Sequence, residues 1–129
     1  MVLLETQQTC DTTYRLYDYG RDRELHLEAG LAVVKTTSEA GKIEPRQMDG
    51  FTRLIEQKYF TVDRFEGSHA LAGSGPSCLV ALQGKGVVRA GGAEVDLPSG
   101  QAVVVPFGLA VEVADPDGGL VFVRCSAPA

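Results

Sequence analysis

From Phe51 onwards the chain is a succession of short apolar runs separated by turn residues. The runs are TRLIEQ (52–57), YFTVDRFEG (59–67), SCLVALQ (77–83), GVVRA (86–90), AEVDLP (93–98), QAVVVP (101–106), AVEVAD (110–115) and LVFVRCS (120–126). Each has the length of a strand, and several alternate apolar with polar residues as a half-buried strand does. Lys85-Gly86, Gly91-Gly92, Pro98-Ser99-Gly100 and the Asp115–Gly119 segment stand between them, carrying residue types that set turns. Eight short strands with this punctuation predict a mainly β architecture, a sandwich or a jelly roll.

The same period continues upstream. VLLETQQ (2–8) and TYRLYDY (13–19), joined by Thr9-Cys10-Asp11-Thr12, predict a β-hairpin. Alternation puts Leu3, Glu5 and Gln7 on one face of the first run, opposite Val2, Leu4 and Thr6. In the second run Arg15 and Tyr17 share a face, opposite Tyr14 and Leu16. Each run thus carries a charge where a half-buried strand would bear an apolar side chain, and a buried charge costs several kcal/mol unless it is paired. Two readings follow for Glu5 and Arg15 on facing strands: a structural ion pair, or groups that jointly face a polar cavity. Between hairpin and jelly roll, LEAGLAVV (27–34) predicts a short helix with an acidic residue in its first turn, followed by the extended GKIEPRQMDG (41–50). The expected organisation is a strand pair over 1–20, a helical connector over 21–50 and a barrel over 51–129.

Composition narrows the function. The 129 residues carry a formal net charge of -5 with both signs interspersed, which argues against a nucleic-acid surface. No apolar stretch approaches the roughly 20 residues of a membrane span, and no basic-then-apolar signal pattern opens the chain, so a cytoplasmic location is expected. Cys10, Cys78 and Cys125 show no Cys-x-x-Cys spacing, so they suggest neither a disulfide framework nor a zinc knuckle. The two histidines, His26 and His69, are too few for a catalytic zinc site, which needs three or four convergent ligands. Both are expected to be surface or locally bonded residues. The glycine turns at 73–77 and 84–86 precede no helix and are read as turns rather than phosphate loops.

Two resemblances sharpen the picture. The LPSG turn leading into Gly100-x5-Pro106, with LQGKGVVRAGG (82–92) upstream, resembles the second characteristic block of the cupin superfamily. In that block the strand after the proline often carries a metal-binding histidine; here Leu109 stands three residues after Pro106, and no His-x-His occurs. The resemblance implies a cupin-type jelly-roll barrel without cupin metal chemistry. The run LLETQQTCDTTYRLYDYGR (3–21), followed by RELHLEAGLAVV (23–34), closely resembles the segment after the last zinc-binding histidine in bacterial type I mannose-6-phosphate isomerases, and the rest of the chain is similar to that family's C-terminal cupin domain.

That second resemblance implies an aldose–ketose isomerase which interconverts mannose 6-phosphate and fructose 6-phosphate through a cis-enediol, with one zinc bound by Gln, Glu and His side chains. Glu5 matches a glutamate proposed to carry the proton, Arg15 an arginine beside the reacting carbons, and Asp11 an aspartate four residues before that arginine. It favours Glu5, Asp11 and Arg15 as inherited site residues over a structural ion pair. It also implies that the zinc ligands, and the lysine linked with the substrate phosphate, fall ahead of Val2. The chain is then expected to hold no cofactor of its own and to be a C-terminal fragment or truncated paralogue, inactive alone. Its expected partners are the sugar phosphate of the full-length family, and either a missing N-terminal half or a homo-oligomer that covers the hairpin edges. The alternative is a metal-free cupin serving as a binding or assembly module.

Overall fold

The computed structural model describes residues 3–7, 13–37, 44–73 and 75–127. It contains two compact units, 1–42 and 43–129. The second unit is built wholly from strands: β1 (Arg46–Gln47), β2 (Thr52–Glu56), β3 (Thr61–Glu66), β4 (His69–Leu71), β5 (Ser77–Gln83), β6 (Lys85–Ala90), β7 (Ala93–Pro98), β8 (Ala102–Val105), β9 (Val111–Ala114) and β10 (Val121–Ser126). They form a six-stranded sheet in the order β1-β2-β3-β10-β5-β8 and a four-stranded sheet in the order β4-β9-β6-β7.

Every pairing is antiparallel, and sequence neighbours such as β5 and β6 lie in different sheets. This is the two-sheet jelly roll that the eight runs predict. All eight are strands. The structure corrects one detail, because the sheets face each other as a sandwich and do not close into a barrel. It adds two elements, β1 and β4, that the apolar pattern did not announce.

Between the sheets lies one apolar core. Phe122, Leu79, Leu97, Leu120 and Val113 are fully buried, and Phe65, Leu71, Val88, Val105 and Val111 join them. Aromatic rings fill the region beside β3: Phe65 stacks on Phe122 at 5.0 Å between centroids and on Phe51 at 5.2 Å. The ring of His69 meets Phe65 edge-on at 5.0 Å, while its Nε2 lies 3.0 Å from the Glu66 carbonyl oxygen. His69 is thus locally bonded, as expected, and opens strand β4.

One charge interrupts this interior. Alternation along β3 places Asp63 on the same face as Phe65, and Asp63 is fully buried. The register sets Arg53 of β2 opposite it on one side and Arg124 of β10 opposite it on the other. Arg53 donates through Nε to Oδ1 at 2.8 Å and through Nη2 to Oδ2 at 3.2 Å, and Arg124 Nη2 donates to Oδ2 at 3.5 Å. A bidentate guanidinium is the geometry that best offsets carboxylate desolvation, and its bond to Asp63 is the leading cause that raises the pKa of Arg53 above its ordinary value. The guanidinium groups also lie over rings, Arg53 above Phe51 and Arg124 above Phe65, each with Cζ 5.7 Å from the centroid.

In unit 1, residues 3–7 and 13–18 are not strands. The predicted β-hairpin is therefore absent from the described residues. The predicted helix is present as α1 (Leu27–Val33). Among the described residues no helix is long and apolar enough to cross a membrane.

Replacing Asp63 by Ala leaves two arginines without their common anion and is expected to cost about 3–5 kcal/mol of unfolding free energy in a urea titration. Arg64→Ala, which removes a partly exposed pair with Glu66, is expected to cost no more than about 1 kcal/mol. Equal losses in the two variants would contradict this reading of the interior.

Candidate functional site

The polar residues of unit 1 gather around Asp18. The chain reverses direction through a turn at Asp18–Arg21, where the Arg21 amide donates to the Asp18 carbonyl oxygen at 3.0 Å. Tyr19 and Gly20 occupy its two central positions with φ of +51° and +77°. Positive φ at both positions defines a type I′ turn, and glycine at the second takes it without steric cost. The turn sends residues 21–26 back along 13–18. Arg15 and His26 meet there: the His26 amide donates to the Arg15 carbonyl oxygen at 2.8 Å, and the Arg15 amide donates to His26 Nδ1 at 3.1 Å. Sequence reading put residues 13–19 against 2–8; the observed neighbour of this run is the segment that follows it.

His26 also stands at the N-cap of α1. Its ring is engaged by Arg15 and makes no side-chain cap bond, while its carbonyl oxygen accepts from the Gly30 amide at 2.8 Å. An acceptor Nδ1 places the ring proton on Nε2 in the neutral imidazole. The helix lies close over the preceding run. A Cβ built on Gly30 would come within 2.4 Å of Leu16 Cδ2 and 3.5 Å of Tyr14 Cβ, so only glycine allows this approach without displacing Leu16. The ring of Tyr14 meets that of His26 edge-on at 6.1 Å.

Three guanidiniums surround the buried Asp18 carboxylate. Arg23 grips both oxygens, donating through Nε to Oδ2 at 2.9 Å and through Nη2 to Oδ1 in a closer contact. Arg21 Nε and Arg15 Nε lie 3.6 Å and 3.7 Å from Oδ1. The hydrogen bonds from Arg23 hold the Asp18 carboxyl below its ordinary value of 3.8; burial opposes this, and the charges of Arg23 and Arg15 add to it. The same pairing raises Arg23. The centre is therefore cationic in a chain whose net charge is -5.

Arg15 is held on several sides. Its backbone is tied to His26, its Nε points toward Asp18, and its Nη1 donates to the Glu24 carbonyl oxygen at 3.0 Å. Its Nη2 has no partner among the described residues, and the side chain stays 26% exposed. Glu5 is exposed and makes no ion pair with Arg15, so the structural ion pair, one of the two readings of these residues, does not form. Asp11 lies outside the described residues. Asp18, Arg21 and Arg23 were missed by sequence reading, although the signal was present in the alternating charges of Asp18, Arg21, Asp22 and Arg23 around Gly20.

No three His, Cys, Asp or Glu side chains gather as a metal site among the described residues. The jelly-roll interior, where Leu79, Val111 and Val113 meet, is occupied by apolar side chains. The donor set in the described residues therefore does not fit zinc.

The paired antiparallel sheets and apolar interior define a cupin-type jelly-roll protein. A solved RmlC-like cupin from Shewanella frigidimarina shares the fold, with a TM-score of 0.54 at 17% identity over 74% of this chain and 93% of that one. The mannose 6-phosphate isomerase structure from Bacillus subtilis superposes with a TM-score of 0.66 at 22% identity, over 89% of this chain and 40% of that chain. Comparison with protein-family profiles found no match. Sequence comparison adds the family. Mannose-6-phosphate isomerase ManA of Bacillus subtilis is 35% identical over 122 residues, covering 84% of this chain and 39% of the relative. The mannose-6-phosphate isomerase of Streptococcus mutans is 33% identical over 119 residues, covering 82% and 37%. The chain is homologous to the C-terminal portion of the mannose-6-phosphate isomerases, and it spans about two fifths of the length of these relatives.

The depressed Asp18 pKa has a definite consequence. Ionised Asp18 contributes stability above pH 3.8, and this contribution is lost as the pH falls through the lower value of the folded state. The protection factors of the Arg21 and His26 amides, exchange rates relative to those of an unstructured chain at the same pH, are expected to fall with acidification below that pH in the parent protein. In Asp18→Asn they should be low throughout, without the acid-dependent step. An unchanged acid profile in Asp18→Asn would contradict the assignment.

Proposed function

We propose that this chain supplies the C-terminal part of an isomerase acting on mannose 6-phosphate and fructose 6-phosphate, with Arg15 presented to the substrate and Glu5 and Asp11 beside it. The observation that carries this reading is the state of Arg15: its backbone, Nε and Nη1 are engaged, and Nη2 meets no acceptor among the described residues. Aldose–ketose isomerisation moves a proton between C1 and C2 and builds negative charge on an enediolate. It needs a base at the carbon and a fixed positive group near the developing charge. A guanidinium already oriented before the substrate arrives performs the second task with little reorganisation. Glu5 has the carboxylate for the first, and the resemblance of the 3–21 run to the family's segment is what groups Asp11 with Arg15.

The zinc of such an enzyme is, in this reading, held outside these 129 residues. The jelly roll acts as support or as an assembly module, a role favoured by its filled interior. Leu25, Leu27, Leu31 and Val33 of unit 1 are exposed apolar groups. They are the surface that the remaining portion of the enzyme, or a second copy of the chain, would cover. The cytoplasm is the compartment that fits sugar-phosphate chemistry.

A coupled assay for mannose 6-phosphate turnover, with zinc added, tests the proposal. The 129-residue chain alone is expected to be inactive. Fused behind the part of the Bacillus subtilis relative that precedes the matched region, it is expected to turn over substrate. Arg15→Ala should then lower kcat by about 100-fold, the usual loss for one group that stabilises a developing oxyanion. An active fusion indifferent to Arg15→Ala and Glu5→Gln would overturn the site. Turnover by the lone chain would overturn the division of the enzyme.

A further inference from the structure

Cys78 of β5 and Cys125 of β10 are directly opposite each other in the antiparallel register. Leu79, Ala81 and Phe122 point into the core, so alternation turns both cysteines to the outer face of the six-stranded sheet. Both are half-buried. They line one groove of about 240 Å³ together with Phe60, Pro76, Val104 and Ser126. Among the described residues no charged side chain lines it, so it suits a small uncharged reactant. Directly opposed residues on antiparallel strands have Cα atoms about 4.5–5.5 Å apart, within the span that disulfides bridge. Their Cβ atoms usually stand about 4.5–5.5 Å apart, wider than the roughly 3.8 Å mean of a relaxed bridge. A bond formed here draws two strands together and is easily reduced again, as strained bridges are.

We propose that Cys78 and Cys125 form an oxidation site, joining as a reversible cross-strand disulfide when the protein meets hydrogen peroxide. One cysteine sulfur, as thiolate, attacks a peroxide oxygen. The O–O bond breaks, hydroxide leaves and takes up a proton to become water, and a sulfenic acid remains. The second sulfur attacks the sulfenic sulfur. The S–S bond forms, the S–O bond breaks, and the departing hydroxide takes the thiol proton and leaves as water. Two thiols lose two electrons in all, and one peroxide becomes two waters. Burial, and then the neighbouring Cys125, push the Cys78 thiol above its ordinary value, so Cys78 remains a thiol at neutral pH and suits the second, resolving position.

The test uses the reduced 129-residue chain treated with hydrogen peroxide, blocked with iodoacetamide, digested and mapped by mass spectrometry. The expected product is a single bridged peptide pair joining Cys78 to Cys125, with two of the three thiols lost together and both recovered by dithiothreitol. Cys10→Ser should bridge as the parent does, and Cys125→Ser should yield none of this pair. The proposal is overturned if the thiols survive, if they pass to sulfinic or sulfonic acids without a bridge, or if Cys10 is the partner in the parent protein. The parent chain decides the matter even where a serine variant folds poorly.

Discussion

The buried carboxylate of Asp63 is the constraint around which the jelly roll is organised. It lies on the inward face of β3, directly opposite Arg53 on β2 and Arg124 on β10. A slip of one residue in either pairing would turn β2 or β10 over and carry its arginine to the other face, leaving an unpaired charge inside the sandwich. The ion cluster therefore fixes the register of three adjacent strands, and the aromatic stack depends on that register. Phe65 and Phe122 face each other because β3 and β10 are paired as Asp63 and Arg124 require. Apolar burial supplies most of the driving force, while the charges select one arrangement of it.

A similar motif, one buried aspartate among several arginines, recurs in unit 1 with a different outcome. Asp63 has Arg53 and Arg124 on opposite sides within a sheet, and its surroundings are apolar rings. Asp18 sits at a type I′ turn with three arginines converging on it, two of them substantially exposed. The first arrangement is closed and structural. The second leaves excess positive charge at the surface, with one nitrogen of Arg15 unpartnered among the described residues, which is the condition for meeting an anionic reaction partner. The proposed division of labour between a supporting jelly roll and a reactive N-terminal segment takes its support from this contrast.

The eight longer strands were legible because each is a short apolar run bounded by turn residues, and in several, such as β6 and β9, burial alternates with period two. Strands β1 and β4, of two and three residues, are too short to show a period. They exist because neighbouring strands offer them hydrogen bonds. The N-terminal runs show the opposite failure. Leu3–Gln7 and Thr13–Asp18 alternate as strands do, but a strand also needs a partner, and periodicity says nothing about partners. The turn at Tyr19-Gly20 decides the local pairing and brings Arg15 to His26. Of the candidate site, the family resemblance singled out Arg15 and not Asp18, because a buried aspartate in YDYG looks like any turn aspartate until its arginines are placed. Asp63 escaped for the same reason, since its two partners are distant in sequence.

The proposed function gives this chain part of an isomerase site and leaves the zinc to residues outside it. Elemental analysis of the purified 129-residue protein, after gel filtration in zinc-containing buffer, addresses it most directly. Zinc is expected far below one equivalent per chain. One tightly retained equivalent would contradict it, and would place a metal site within these residues.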